Sequence, residues 1–171
     1  PGGDDETRLA ISLSGLAAKR GLKIADIGCG TGASTLVLAR QLDARVTAVD
    51  FLPDFLHELD MAAQRENLAD RIETLVASMD DLPFDEESFD AIWSEGAIYN
   101  IGFERGINEW RNYLKTGGFI AVSEASWFTE ERPAEIDNFW KDAYPEIDTI
   151  PKKVNQMQKA GYIPTATFIL P

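Results

Sequence analysis

The sequence predicts a doubly wound α/β fold, in which helices cover both faces of a mostly parallel sheet. Short apolar runs with strand character alternate along the chain with segments whose apolar residues recur at helical spacing. This alternation is typical of parallel sheets, because parallel neighbours are usually joined by a helical crossover. A glycine-rich turn also joins the first predicted strand to the following helix, as in nucleotide-binding folds of this class.

The first half of the chain supplies three predicted strands and three predicted helices. Asp4, Asp5 and Glu6 precede a repeat of leucines and predict a first helix, because acidic residues are favourable at the positive end of a helix. The elements that follow are a strand at Leu22–Ile27, a helix at Ala33–Leu42, a strand at Arg45–Val49, a helix from Pro53 or Asp54 to about Glu66, and a strand at Ile72–Ala77.

The second half continues the alternation around an aromatic-rich insertion. The predicted elements are a strand at Phe89–Ser94, a helix through Ile107 and Trp110 that ends at Gly117-Gly118, a strand at Phe119–Ser123, a short helix at Val154–Ala160, and a sixth strand at Thr165–Leu170. Proline breakers predict an irregular segment at about residues 127–150. We predict a single domain over residues 1–171 that carries this insertion.

Composition limits the classes of partner. The 171 residues are 44% hydrophobic and 26% charged, and no apolar run approaches the ~20 residues of a membrane span. The formal net charge of −13 repels nucleic acid and anionic membranes, so neither is expected as a partner. The single cysteine, Cys29, and the lack of a recognisable signal peptide fit a cytoplasmic protein.

The glycine turn reads Asp26-Ile27-Gly28-Cys29-Gly30-Thr31-Gly32. Glycines permit positive φ and let a ligand approach the backbone without a Cβ in the way. Asp50 follows Gly28 by 22 residues, at the end of the second predicted strand. A carboxylate there can accept hydrogen bonds from both hydroxyls of a ribose. The pattern predicts a nucleotide-type ligand, and the turn alone fits both S-adenosylmethionine (SAM) and NAD.

Five segments in order resemble the class I SAM-dependent methyltransferases, and the pattern is most similar to bacterial small-molecule enzymes of the quinone-biosynthesis and amine-methylating kind. The segments are Asp26–Gly32, Val46–Asp50, Ser78–Phe84, Phe89–Glu95 and Leu114–Gly118. The resemblance implies a Rossmann-like methyltransferase fold with SAM as cofactor and S-adenosyl-L-homocysteine (SAH) as product. That family usually has a final antiparallel strand, for which we find no candidate before Pro171.

The resemblance also implies cofactor-binding roles for individual residues. Gly28 and Gly30 would let the methionine end of SAM lie against the turn, and Asp26 would help place its ammonium group. Asp50 would hold the ribose. The adenine would be contacted by three further residues, which are Phe51, Met79 and Asp80.

Glu95, Tyr99 and His57 are the candidates for a catalytic base, which is needed only if the acceptor must lose a proton. Glu95 is best placed, at the end of the fourth predicted strand, and it is equally a candidate for orienting SAM. Tyr99 lies on the adjoining loop and is predicted to line the acceptor pocket. His57 falls inside a predicted helix and fits a surface position better. No metal-ligand spacing is present.

Three functions follow from these observations. The first is transfer of the SAM methyl group to a small-molecule acceptor by in-line displacement. An NAD(P)-dependent oxidoreductase shares the glycine turn and Asp50, and a non-catalytic SAM-binding module is the third alternative. The aromatic-rich insertion, as an apolar lid, and the missing edge strand also favour a homodimer.

Overall fold

A five-stranded parallel sheet forms the centre of the protein. The computed structural model describes residues 2–171, and the strands lie in the order β3-β2-β1-β4-β5. Their bounds are Leu22–Ile27 (β1), Ala44–Asp50 (β2), Ile72–Val76 (β3), Phe89–Ser94 (β4) and Leu114–Val122 (β5). The predicted α/β class and parallel sheet are therefore confirmed.

Six α-helices accompany the strands within residues 2–171. Their bounds are Asp4–Ser14 (α1), Ala33–Gln41 (α2), Pro53–Arg65 (α3), Phe103–Glu109 (α4), Ala134–Ala143 (α5) and Ile150–Lys159 (α6). Single 3₁₀ turns occur at Leu16–Ala18, Ile98–Asn100 and Trp110–Tyr113.

The apolar residues of each inner strand form two core layers, one on each face of the sheet. Ile24 of β1 packs with α1 and α2, whereas Ile27 packs on the opposite face with α4 and α6. Both residues are fully buried. The strand order reverses between β1 and β4, so a crevice opens at their carboxyl ends, where folds of this class bind ligands.

The predicted helix end at Gly117-Gly118 is wrong. The α-helix ends at Glu109, and both glycines lie inside β5, which begins at Leu114. Leu114 pairs with Phe89 and Phe119 with Ala91, so residues 115–118 of β5 bulge opposite the single residue Asp90. Gly117 adopts φ +75° in this bulge, a conformation that glycine tolerates without strain.

The segment predicted as irregular is more ordered than its prolines suggest. It contains α5 and two short strands, Ser126–Trp127 (β6) and Asp148–Thr149 (β7), which pair with each other in parallel. Pro133 lies just before α5 and Pro151 lies in the first turn of α6, where a missing N–H costs nothing. Pro133 and Pro151 therefore mark helix starts, whereas Pro145 follows the end of α5.

The predicted sixth strand at Thr165–Leu170 is wrong. These residues join no sheet in the structure, and a cavity separates Ala166–Leu170 from β5. β5 is the edge strand and has one unpaired side, but the cavity lies between that edge and the run, so no ladder of hydrogen bonds forms. Over residues 2–171 no helix is long and apolar enough to cross a membrane.

Candidate functional site

The glycine turn and the ends of β2 and β4 meet at the carboxyl edge of the sheet. The turn is fastened to β2 by the Gly28 N–H, which donates to the Val49 carbonyl at 2.8 Å. β4 is tied to β1 by the Ser94 hydroxyl, which donates to the Ile27 carbonyl at 2.8 Å. These bonds tie the glycine turn and the strand ends to one another.

Gly28, Gly30 and Gly32 all have positive φ, but a side chain at each would meet different surroundings. A Cβ on Gly28 would lie 2.4 Å from the Ala97 Cβ, and one on Gly32 would lie 2.2 Å from Leu59. These two positions thus accommodate the protein's own packing. A Cβ on Gly30 would meet nothing within 4 Å, so this glycine faces open space.

Asp50 connects the turn to the start of α3. Its Oδ2 accepts the Gly30 N–H at 2.9 Å, and its Oδ1 accepts the Leu52 N–H at 2.9 Å. Each carboxylate oxygen can accept two hydrogen bonds, so each keeps acceptor capacity for a ligand. The neighbouring Phe51 ring is 70% exposed, which leaves its face available to a flat group.

Asp26 lies fully buried beneath the turn. Its Oδ2 accepts hydrogen bonds from Ser34 at 2.8 Å and Thr35 at 2.6 Å, while Oδ1 is buried with no partner among the described residues. Burial raises the pKa of Asp26 to about 6, against the lowering effect of the two hydroxyl groups. Its direct contact with a ligand's ammonium group stays a prediction.

Met79 and Asp80 follow β3 and approach the turn from the other side. The Met79 carbonyl accepts the Trp110 indole N–H at 3.1 Å, and its methyl group lies beside Gly28. Asp80 is exposed, with Oδ1 bonded to the Ser78 hydroxyl and Oδ2 3.8 Å from Arg105. The hydrogen bond from Ser78, helped by Arg105, lowers the pKa of Asp80, so it is a carboxylate at neutral pH.

Glu95 directly follows β4 and is fixed by one of its two oxygens. Oε1 accepts both the Trp93 indole N–H at 2.7 Å and the Thr7 hydroxyl of α1 at 2.9 Å. Thr7 is itself buried, and it links the first helix to the site. Oε2 makes no hydrogen bond within the described residues, so the carboxylate is oriented yet has a free acceptor.

Tyr99 and His57 lie in different surroundings. Tyr99 is 44% exposed in the turn after Glu95, and its ring packs edge-on against Tyr144 at 6.1 Å between centroids. His57 is exposed on α3, as the surface interpretation expected. Burial also raises the pKa of the Cys29 thiol, so its nucleophilic thiolate form is suppressed.

A cavity of about 400 Å³ adjoins Glu95 and extends along β5. Sequence reasoning missed two polar residues near it, Glu124 and Lys153, and noted Tyr144 only as an aromatic residue of the insertion. Glu124 lies two residues after β5 and was detectable, because the carboxyl ends of parallel strands share one edge. Lys153 and Tyr144 join it only through the folding of the insertion. No group of three or more potential metal ligands occurs over residues 2–171.

The residues at this edge fit a nucleoside carrying an amino acid group. Gly30 faces open space, Asp50 keeps acceptor capacity for a ribose diol, and Phe51 exposes an aromatic face. The buried, unpartnered Oδ1 of Asp26 adds negative charge beneath the turn, which favours a cationic group above it. A cradle of this kind suits SAM better than a ligand bearing phosphates near Asp26.

Comparison with known proteins also identifies methyltransferases as relatives of this chain. The methyltransferase domain family matches residues 25–122. A demethylmenaquinone methyltransferase of Clavibacter sepedonicus is 34% identical over 125 residues, which cover 72% of this chain and 49% of that protein. A 2-methyl-6-phytyl-1,4-hydroquinone methyltransferase of Oryza sativa subsp. japonica is 36% identical over 149 residues, covering 84% and 39%. The chain thus spans less than half the length of these relatives.

Solved structures with low sequence identity share the fold. A geranyl diphosphate methyltransferase in complex with SAM matches with a TM-score of 0.78 at 16% identity, over 95% of this chain and 66% of that one. The cyclase SpnF matches with a TM-score of 0.77 at 24% identity, over 92% and 57%. The family match covers more than half of the chain and includes the glycine turn, Asp50 and Glu95. The chain therefore belongs to the class I SAM-dependent methyltransferases.

Proposed function

We propose that the protein binds SAM at the carboxyl ends of β1 and β2 and transfers its methyl group to a small-molecule acceptor, releasing SAH. The observation that carries this proposal is the Asp50 carboxylate, which holds the Gly30 N–H at 2.9 Å beside open space. This arrangement shapes the turn before a ligand arrives, so little ordering remains to be done on binding.

In this proposal the site residues act on different portions of SAM. Asp50 accepts the ribose hydroxyls, and Gly28 and Gly30 lie against the methionine portion. Asp26 acts on the ammonium group from beneath the turn through its charge. Phe51, Met79 and Asp80 flank the adenine, with Asp80 available to accept from an exocyclic amine.

SAM supplies an already activated methyl group when bound, so the protein's main task is alignment of the acceptor. Positioning of this kind contributes ~7–11 kcal/mol to lowering a barrier. Glu95 is held by Thr7 and Trp93 with Oε2 free, and we assign it the removal of an acceptor proton where one must leave. Tyr99 lines the acceptor side of the same crevice in this proposal.

The proposal extends to the domain organisation, the localisation and the oligomeric state of the protein. Residues 1–171 act as one domain, in which the segment at about 127–150 covers the acceptor. The single cysteine fits work in the cytoplasm. A homodimer would bury the apolar surface of α5, where Ile136 and Phe139 are 47% and 65% exposed.

Calorimetric titration with SAM, SAH and NADH tests the cofactor. We expect both sulfur nucleosides to bind and NADH to give no heat. Asp50→Ala should weaken SAH binding at least about tenfold, since hydrogen bonds to a charged group are each worth about 1.5–3 kcal/mol. Asp70→Ala, which removes an exposed carboxylate far from the turn, should bind SAH like the wild type.

A second pair of variants distinguishes loss of ligand space at the turn from loss of backbone stability. Gly30→Ala and Gly21→Ala both place a Cβ at positive φ, at +57° and +61°, with no atom within 4 Å. Both should lose similar stability, but only Gly30→Ala should weaken SAH binding. Equal SAH affinity in the two variants would contradict the placement of the ligand against Gly30.

The acceptor half of the proposal needs a separate measurement, because the fold also serves a cyclase. Incubation with SAM and a panel of phenols, hydroquinones and amines should convert SAM to SAH only when an accepted compound is present. SAM binding with no turnover over the whole panel would favour the non-catalytic module. NADH binding without SAM binding would favour the oxidoreductase.

A further inference from the structure

The turn Ser78–Asp81, which carries two of the residues proposed to flank the adenine, has few backbone bonds of its own. It lies in a segment, residues 77–88, that belongs to no helix or strand. The Asp50 carbonyl accepts the Ala77 N–H at 3.1 Å where this segment begins, and the Asp81 N–H donates to the Ser78 carbonyl at 3.1 Å. Neither bond engages the Met79 carbonyl at the centre of the turn.

Trp110 provides a partner for that carbonyl from the protein core. Its indole N–H donates to the Met79 carbonyl at 3.1 Å, the one acceptor that it has within residues 2–171. Trp110 directly follows α4 and is 1% exposed, and Met79 packs against the same core layer. A buried indole N–H is costly to leave unsatisfied, so the bond holds the turn against the core.

This single bond orients a whole peptide group. The Met79 carbonyl and the Asp80 N–H belong to one planar trans unit, in which they point in opposite directions. A carbonyl held towards Trp110 therefore sets the course of the backbone into Asp80. On the other side of the turn, the Met79 methyl group lies 3.1 Å from the position that a Cβ on Gly28 would take. The bond thus places the turn beside the glycine turn.

The Asp80 carboxylate depends on this backbone for its position. Its Oδ1 is bonded to the Ser78 hydroxyl, which belongs to the same turn and moves with it. Its Oδ2 lies 3.8 Å from Arg105, and the two side chains are 43% and 46% exposed. Exposed ion pairs of this kind hold their partners weakly. The bond from Trp110 is therefore the contact that ties the turn to a rigid part of the molecule.

We infer that Trp110 is a positioning residue for base recognition, whose indole N–H holds the Ser78–Asp81 turn so that the turn selects adenine over other purines. The inference rests on the proposed function, which places the adenine of SAM beside this turn. It goes beyond that function by assigning selectivity to a buried residue outside the cofactor site.

The test compares SAH with S-inosyl-L-homocysteine, in which a carbonyl replaces the exocyclic amine of the adenine. By calorimetry the wild type should bind SAH at least about tenfold more tightly, because a carboxylate accepts from the amine but faces a second acceptor in the carbonyl. Trp110→Phe should reduce this ratio to about threefold or less, since the turn is no longer held. General destabilisation of the fold would weaken both ligands alike and leave the ratio unchanged.

Trp93→Phe is the matched control. Trp93 is also 1% exposed, and its indole N–H donates at 2.7 Å to Glu95, which serves the acceptor rather than the adenine in the proposed function. This variant also loses a buried indole bond, but it should keep the wild-type ratio of the two affinities.

A second replacement at position 110 removes the N–H without leaving a cavity in the core. Incorporation of 3-benzothienylalanine in place of Trp110 puts a sulfur atom where the N–H stands and keeps the two fused rings. Because packing is preserved, the protein should fold like the wild type. Its ratio should nevertheless fall as far as that of Trp110→Phe.

The outcomes separate this inference from the proposal on which it rests. A wild-type ratio in the benzothienyl protein would overturn the inference and leave the proposed function standing. An equal fall in Trp93→Phe would also overturn it, because any lost indole bond would then have the same effect. A wild type that binds both ligands equally would contradict base selection by this turn, and one that binds neither would contradict the proposed function itself.

Discussion

At the scale of single residues, three carboxylates lie at the carboxyl ends of strands in three different settings. Asp26 is fully buried, Asp50 is bonded to backbone N–H groups, and Glu95 is held by one oxygen with the other free. Sequence reasoning named all three as candidates: Asp26 through the family resemblance, Asp50 through its spacing from the glycine turn, and Glu95 through its place at the end of a strand. It could not tell their states apart, because burial and hydrogen bonding depend on side chains distant in sequence, such as Thr7 for Glu95.

Asp26 should make stability depend on pH in a defined direction. Its pKa is about 6 in the folded protein against an ordinary value of 3.8, so the native state holds a proton that the unfolded chain releases. The unfolding free energy should therefore fall as pH rises from about 4 to about 6, by about 3 kcal/mol in total. Asp26→Asn cannot titrate but still accepts the Ser34 and Thr35 hydrogen bonds.

Urea unfolding at several pH values between 4 and 7 measures this effect as a difference between the two proteins. Titrating groups that do not interact with Asp26 contribute equally to both proteins and cancel. The wild type should lose about 3 kcal/mol relative to Asp26→Asn across the range. Parallel stability curves for the two proteins would show that Asp26 does not carry a raised pKa.

At the scale of elements, the five strands of the sheet and the helix near Val154–Ala160 were predicted, whereas α5, β6 and β7 were not. β1, β2 and β4 are buried apolar runs, and α3 has its apolar residues at helical spacing, so each carries its own signal. The bulge in β5 and the pairing of β6 with β7 depend on contacts between distant segments. The Thr165–Leu170 run has strand character but finds no partner strand in the structure.

The ion pair that ties α6 to the end of β5 should be costly to break on one side only. Lys153→Met leaves the Glu124 carboxylate buried and unpaired, and it should lower the unfolding free energy by about 3–5 kcal/mol. Adding Glu124→Leu removes that charge and should recover about 2 kcal/mol or more, although the Tyr144 hydroxyl loses its acceptor.

Lys152→Met is the matched control on the same helix. Lys152 pairs with Asp148, but their side chains are 57% and 38% exposed, so its loss should change stability by less than about 1 kcal/mol. Urea unfolding of the four proteins gives the comparison. Similar losses for Lys152→Met and Lys153→Met would argue that burial of the pair has no energetic consequence.

At the scale of the whole molecule, a ligand that contacts several strand ends should stabilise the fold as a unit. The turn after β1, the end of β2 and the end of β4 are joined by backbone and side-chain hydrogen bonds. A ligand bound only by this assembled edge has no counterpart site in the unfolded chain, so its binding free energy adds to the stability of the fold.

SAH at about 100 times its dissociation constant should therefore raise the unfolding free energy by about 2.7 kcal/mol. NADH at the same concentration should leave the urea midpoint unchanged. Asp50→Ala should show the smaller SAH effect that its weaker affinity dictates. Equal stabilisation by NADH and SAH would mean that the site binds the adenosine portion that both ligands share and does not distinguish SAH from NADH.

The parallel pairing of β6 with β7 brings the two ends of the segment between them close together. Trp127 and Thr149 are ladder partners, so the chain leaves the domain and returns to it at points about 5 Å apart. A replacement for residues 128–148 would have to restore two contacts that this segment makes with the rest of the chain: the Tyr144 hydroxyl bonded to Glu124 after β5, and the Asp148 carboxylate paired with Lys152 of α6. If the segment covers the acceptor as proposed, chimaeras that keep these two contacts should change acceptor choice and leave SAH affinity unchanged.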